Sequence, residues 1–156
     1  MLRLEIPGSE VMTLKHLLLD YNGTLAVDGI VKEGVMTRLE ALSGQLQIHV
    51  LTADTYGSVH EQCGAEFIRV HVIGTQDQDR QKLAYLKQLG AASTVAAGNG
   101  KNDALMLSEA ALGMAVVQEE GASMKSVMAA DLLYNSIEDA LDALLQPKRL
   151  AATLRN

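Results

Sequence analysis

His16-Leu17-Leu18-Leu19-Asp20-Tyr21-Asn22-Gly23-Thr24 places a carboxylate at the end of a short apolar run, where Asn and Gly let the chain turn. A run of this length that ends in a turn reads as a buried strand, and a carboxylate at its end is positioned to act as a nucleophile. Tyr21 should point away from the turn and pack. Downstream, helix-like and strand-like stretches alternate over 35–42, 48–52, 58–63, 67–73, 78–89, 94–97, 104–110, 113–117, 122–129, 132–134 and 137–145. The alternation predicts an α/β fold: a mainly parallel sheet with helices on both faces. Helical spacing joins Val35, Leu39 and Leu42, and likewise Leu83, Leu86 and Leu89, with Gly44 and Gly90 following as helix stops. Val70-His71-Val72-Ile73 and Met114-Ala115-Val116-Val117 are short and largely β-branched or apolar, and predict strands buried on both faces.

The flanks differ from this pattern. Strand-like residues 2–6 and 11–14 surround Pro7-Gly8 and predict a hairpin extension over 1–15. The tail, 146–156, carries Pro147, Lys148, Arg149 and Arg155 and reads as a short terminal helix or a fraying end. A chain of 156 residues fits one domain over 1–156. It is 48% hydrophobic but 3% aromatic, so the core is aliphatic and base stacking is poorly provided for. A net charge of −6, with the basic residues scattered, argues against nucleic acid as a partner. Cys63 is the one cysteine, so an internal disulfide is impossible and a reducing compartment fits. No apolar stretch approaches the roughly 20 residues of a membrane span. Met1-Leu2-Arg3-Leu4-Glu5 interrupts any signal-peptide core, and the expectation is a soluble, cytoplasmic protein.

In open parallel sheets, reactive groups collect at the carboxyl ends of strands near the switch in strand order. Asp20, Thr52 and the turn Gly98-Asn99-Gly100-Lys101-Asn102-Asp103 all follow predicted strands and can meet in one crevice. Phosphoryl transfer needs an in-line nucleophile and neutralisation of the phosphoryl oxygens. Asp20 is the candidate nucleophile, forming an aspartyl-phosphate. Thr52 offers a hydroxyl and Lys82 a positive charge, while Gly23 lets the backbone approach closely with its N–H directed inward. Magnesium suits such oxygen donors, whereas His16, His49, His60 and His71 lack the spacing of a transition-metal site.

In this order, the residues resemble the four motifs of the haloacid dehalogenase superfamily, and more narrowly the phosphorylation domain of P-type ATPases freed from its membrane. The first motif, D-x-D-G-T or D-K-T-G-T in the ATPases, is matched by Asp20-Tyr21-Asn22-Gly23-Thr24. The second, T-G-D, is similar to Thr52-Ala53-Asp54. Lys82 stands for the third, and Gly98-Asn99-Gly100-Lys101-Asn102-Asp103 resembles G-D-G-x-N-D. The resemblance covers about residues 17–145. It implies a three-layer αβα Rossmann-like domain with Asp20, Asn22, Thr52 and Lys82 in catalysis, and phosphate held by Gly23, Thr52, Ala53 and Lys82. It also implies Mg2+ bound by the Asp20 carboxylate, the Asn22 carbonyl, Asn99 and Asp103.

Two positions depart from the family. Asn22 stands where the phosphatases carry an acid that protonates the leaving group, a loss of about 10²–10⁴ in rate, although the ATPases lack that acid too. Asn99 replaces a metal-ligand carboxylate with a neutral oxygen, which lowers the expected magnesium affinity. Lys101 reads as solvated. Only 25–34 separate the first motif from the next helix, room for a flap around Asp28-Gly29 but not for a folded cap. An open site implies a large phosphorylated substrate or a cover borrowed from a neighbouring subunit, hence a homo-oligomer. The leading reading is a slow Mg2+-dependent phosphohydrolase acting on a phosphorylated small molecule or an exposed phosphate. A degenerate member acting as a binding or regulatory module is the alternative. A signalling receiver ranks last, because its phosphorylated aspartate ends the third strand and its first strand ends in an acidic pair.

Overall fold

A computed structural model of the chain describes residues 1–53 and 58–156. The chain opens with an antiparallel pair, β1 (Leu2–Leu4) and β2 (Met12–Leu14), with Leu2 opposite Leu14. β3 (His16–Asp20) enters the main sheet at once, and the small hairpin β4 (Ala26–Val27) and β5 (Ile30–Val31) follows. Next come α1 (Val35–Ser43), β6 (Gln47–Thr52), α2 (Ser58–Cys63), β7 (Ile68–Val72), α3 (Gln78–Leu89) and β8 (Thr94–Gly98). A single 3-10 turn over Lys101–Asp103 leads into α4 (Ala104–Glu109). β9 (Leu112–Val116), α5 (Met124–Ala129), β10 (Leu132–Tyr134), α6 (Ile137–Leu145) and α7 (Pro147–Leu154) complete the described chain.

Six strands form one parallel sheet in the order β10-β9-β8-β3-β6-β7. The chain builds outward from β3 through β6 to β7, then returns to β8 on the other flank of β3, so the switch point lies beside Asp20. Alternation within the strands makes the three layers. Leu17, Leu19, Val50, Val95 and Met114 face α1, α2, α6 and α7 through Leu39, Val59, Ile137, Leu141 and Leu150. Leu18, Leu51, Ala96 and Ala115 face α3, α4 and α5 through Leu86, Met106, Leu107 and Val127. The N-terminal hairpin joins the first of these cores, with Leu2, Leu4 and Leu14 in the same cluster as Leu150 of α7. The expected hairpin and terminal helix are therefore packed against each other.

The strand expected to be buried on both faces around Val70 is instead the edge strand β7, with Arg69, His71 and Val72 exposed. Its β-branched residues reflect strand propensity at an edge, which apolar content alone does not separate from full burial. The helix expected over 122–129 begins only at Met124, because Gly121 takes a positive φ of 73° and Ser123 N–H donates to Asn99 O at 2.8 Å. Tyr21 packs into the core as expected, its hydroxyl donating to Gly29 O at 2.9 Å.

Imidazoles also line one face of the sheet. His16 Nδ1 lies 3.2 Å from His49 Nε2, and His49 Nδ1 lies 3.0 Å from the Tyr85 hydroxyl. The Tyr85 ring in turn stacks on His71 at 4.6 Å between centroids. Two of the four histidines, His49 and His71, thus meet one tyrosine of α3, and His16 joins them through His49.

Candidate active site

Asp20 ends β3 with its carboxylate fixed at both oxygens. Oδ1 accepts from Lys82 Nζ at 2.6 Å, and Oδ2 accepts from the Thr24 hydroxyl at 3.0 Å. Lys82, in the second turn of α3, also donates to Asp103 Oδ1 at 2.6 Å, so one buried ammonium sits between two carboxylates. Asp103 occupies the position before α4 where an N-cap is expected, yet its side chain makes no cap bond. It folds back, and Oδ2 accepts the backbone N–H groups of Asn99 and Gly100 at 3.0 and 2.9 Å. A Cβ on Gly98 would lie 2.5 Å from the Asp103 carboxyl, so the close approach requires glycine.

Burial alone would lower the Lys82 ammonium, but the charges of Asp20 and Asp103 outweigh it and hold the group above the ordinary lysine value. For Asp103, burial, then the repulsion of Asp20, pushes the carboxyl up to about 7 against the pull of Lys82. The cluster is held together by one cation serving two acids.

The crevice above it encloses about 350 Å³ and is lined by Asp20, Asn22, Thr52, Ala53, Lys82 and Asn99, together with Gln78, Gly100, Asn102 and Glu120. Thr52 ends β6 and Asn22 is exposed at the mouth. Gly23 closes the turn behind them at a φ of +78°, and Asp103 lies wholly buried beneath. The Gly23 N–H is not directed inward as expected; it donates to Ala26 O at 2.8 Å and closes the turn itself. The Asp54 of the Thr52-Ala53-Asp54 reading lies outside the described residues. Lys101 is exposed, as its solvated reading requires.

The sequence reading gave no role to Thr24, whose buried hydroxyl lies 3.0 Å from Asp20 Oδ2 and 3.3 Å from Asn99 Oδ1. It also passed over Gln118 and Glu120. The available signal was positional: Gln118-Glu119-Glu120 follows the carboxyl end of β9, the same edge of the sheet on which Asp20 lies. Among the described residues no group of three or more His, Cys, Asp or Glu side chains forms a ready metal cluster. The Thr24 hydroxyl nevertheless brings one carboxylate oxygen and one amide oxygen to the same side of the crevice. Such hard donors fit magnesium rather than zinc.

No protein-family model matches the chain. Over 62 residues it is 47% identical to the uncharacterized protein MJ0073 of Methanocaldococcus jannaschii, covering 40% of this chain and 67% of that protein. Over 39 residues it is 54% identical to the uncharacterized protein MJ0072 of the same organism, covering 25% of this chain and 89% of that one. Among solved structures, the cobalt-bound deoxy-D-mannose-octulosonate 8-phosphate phosphatase of Haemophilus influenzae superposes with a TM-score of 0.68 at 14% identity, covering 91% of this chain and 93% of that one. The 3-deoxy-D-manno-octulosonate 8-phosphate phosphatase of Moraxella catarrhalis, in complex with magnesium, phosphate and its sugar acid, gives 0.63 at 17% identity, covering 90% and 92%. At such identities these phosphatases speak for the fold alone, the α/β fold that this chain shares with them. The chain belongs to the same family as MJ0073 of Methanocaldococcus jannaschii.

Proposed function

We propose that this protein is a magnesium-dependent phosphohydrolase working through an aspartyl-phosphate on Asp20. One observation carries the reading: Asp20, Lys82, Thr52 and the Gly98–Asp103 turn, far apart in sequence, border a single crevice, with Lys82 Nζ 2.6 Å from the Asp20 carboxylate. The solved relatives of the fold that hold magnesium with phosphate, or cobalt, support it.

In this reading a carboxylate oxygen of Asp20 bonds to phosphorus as the bond to the leaving oxygen breaks. Lys82 holds the nucleophile in place and offsets charge on the phosphoryl oxygens, and Thr52 and Ala53 bound the space that the phosphoryl group takes. Water then attacks phosphorus, releases inorganic phosphate and restores Asp20. Bound magnesium would supply charge neutralisation at the phosphoryl oxygens. Asp20, the Asn22 carbonyl and Asn99 would hold it. Asp103, the fourth expected ligand, has both oxygens engaged by Lys82 and by backbone N–H groups, and we assign it to fixing Lys82 and the turn.

Asn22 cannot protonate a leaving group, so turnover should favour acyl and aryl phosphates, in keeping with the narrower likeness to the P-type ATPase phosphorylation domain. We further propose a cytoplasmic homo-oligomer in which a second copy covers the open crevice beside the exposed Ile30 of the flap. A binding or regulatory module is the competing reading, favoured by the two neutral amides, Asn22 and Asn99, at the crevice.

The test is phosphate release from acetyl phosphate and p-nitrophenyl phosphate with magnesium. Asp20→Asn should abolish it, and Asn22→Asp should raise the rate on the aryl ester by about 10²-fold or more. Full activity in Asp20→Asn would overturn the enzyme reading. Folded wild type that forms no phosphoenzyme and releases no phosphate would favour the binding module.

A further inference from the structure

The loop between β9 and α5 is drawn onto the crevice from both of its ends. At its start, Gln118 Nε2 donates to Gly23 O at 3.0 Å and to Thr24 O at 2.7 Å, while Oε1 accepts from the Ile137 N–H at 2.9 Å. Further along, Asn99 Nδ2 donates to Gly121 O at 3.0 Å, and Ser123 N–H donates to Asn99 O at 2.8 Å. Glu120 lies between these anchors and lines the crevice with Asp20, Asn22 and Asn99. No hydrogen bond or ion pair among the described residues engages its carboxylate. The adjacent Glu119 turns the other way and pairs with Lys32 at 3.2 Å.

The missing side chain of Gly23 locates Glu120. A Cβ there would lie 2.8 Å from Glu120 Oε2 and 2.8 Å from Asn99 Oδ1. Two oxygens therefore flank the same gap over the nucleophile turn. Neighbouring ligands of an octahedral magnesium, each about 2.05 Å from the ion, are separated by about 2.9 Å, and a shared ion would draw these two oxygens to that spacing.

We propose that Glu120 is a ligand of the divalent cation at the Asp20 crevice, supplying the carboxylate that Asn99 lacks. The inference rests on the phosphohydrolase reading above. Charge is the first argument: Asp20, the Asn22 carbonyl and the Asn99 amide bring a single negative charge to a doubly charged ion, and Glu120 makes the pair complete. Position is the second. Glu120 abuts Asn99 and Gly23, on the side where the Thr24 hydroxyl joins Asp20 Oδ2 to Asn99 Oδ1, whereas Lys82 holds the other oxygen of Asp20. This places its carboxylate with the cation donors and away from the ammonium.

The experiment is Mn2+ binding to the full chain without substrate, read by electron paramagnetic resonance of the free ion, with Mg2+ competition and a thermal melt of each variant. Glu120→Gln should weaken Mn2+ on the order of 10- to 100-fold. Glu119→Gln removes the same charge one residue away and should stay within about twofold of wild type. Adding Asn99→Asp to Glu120→Gln should recover the affinity. If Glu120→Gln binds as wild type does, or if the two glutamate variants weaken equally, Glu120 is not a ligand. Asp20→Asn separates the two levels: weakened binding there with Glu120→Gln unchanged leaves the phosphohydrolase reading standing and removes Glu120 alone. Wild type that binds no Mn2+, or Asp20→Asn that binds it unchanged, removes both.

Discussion

Lys82 and Tyr85 lie one turn apart on α3, and each reaches into the sheet to a different buried polar cluster. Lys82 meets Asp20 and Asp103 at the carboxyl edge, and Tyr85 meets His49 and, through it, His16. In the first cluster the two carboxylates hold the ammonium charged, while burial and the repulsion of Asp20 still raise Asp103 to about 7. The second contains no acid, and its imidazoles stay neutral: burial, then His16, then Arg69, brings His49 down to about 4. His16 is lowered as well, by burial first and then by Arg69 and Lys15. A buried group on this face is thus ionised only where a counter-charge touches it, and that counter-charge is also what a phosphoryl site needs.

The comparison breaks most sharply at Lys82. Lys82→Met keeps the length and packing of the side chain but leaves two buried carboxylates facing each other without a cation. Removing one partner of a buried ion pair costs about 3–5 kcal/mol, and urea denaturation should show a loss of that size. Adding Asp103→Asn should recover part of it, since the Asp103 repulsion is then gone. A loss under about 1 kcal/mol, the range of an exposed pair, would mean that solvent already screens the cluster.

The charged cluster was legible in the sequence and the neutral one was not. Asp20, Thr52 and the Gly98–Asp103 turn each follow a strand, and parallel β/α alternation sends strand ends to one edge, so order along the chain implied convergence. The parallel sheet with helices on both faces followed from the same alternation, whereas the strand order became visible only in the structure. His16, His49 and Tyr85 carry no such signal. Their meeting depends on strand register, with His16 opposite Gln47 and Leu18 opposite His49, and on the rotation of α3. Register and helix rotation are tertiary quantities, invisible to spacing within one element. Glu120 was missed for a related reason: a strand ending in polar residues reads as a loop until Gln118 is seen clasping the Gly23 and Thr24 carbonyls.

A pH titration sharpens the contrast at the next level. An unfolded histidine titrates near 6.5. Between that pH and about 4 the unfolded chain binds protons that the folded His49 refuses. Stability therefore rises with pH across the window, and the His49 contribution is complete above 6.5 and lost as pH falls toward 4. Asp103 acts with the opposite sign, because its carboxyl is raised to about 7 and the folded state holds the extra proton. The wild-type slope is a sum, so the measurement is the difference between wild type and His49→Gln. That difference should shrink on the order of 2 kcal/mol from pH 7 to pH 4. A difference constant across the window would show that His49 is no more reluctant to charge than a solvated imidazole.

Tyr85→Phe is the mildest intervention and isolates the hydrogen bond from the packing. The ring remains, and with it the 4.6 Å stack on His71, while His49 Nδ1 loses the hydroxyl at 3.0 Å. Either proton arrangement of the wild-type chain satisfies His49: Tyr85 donates and His49 Nε2–H points to His16, or His16 donates and His49 Nδ1–H points to Tyr85. Each arrangement loses its bond to the hydroxyl, which leaves a bare Nδ1 lone pair in the first and a buried Nδ1–H without an acceptor in the second. The unpaired N–H is the costlier, so the imidazole proton shifts to Nε2 and the bare lone pair carries the cost. For a neutral bond that cost is about 1 kcal/mol, several-fold below Lys82→Met. Nitrogen chemical shifts of His49 report the tautomer directly. A loss as large as that of Lys82→Met, or an unshifted tautomer population with full stability, would erase the distinction between a cluster held by charge and one held by a single shared proton.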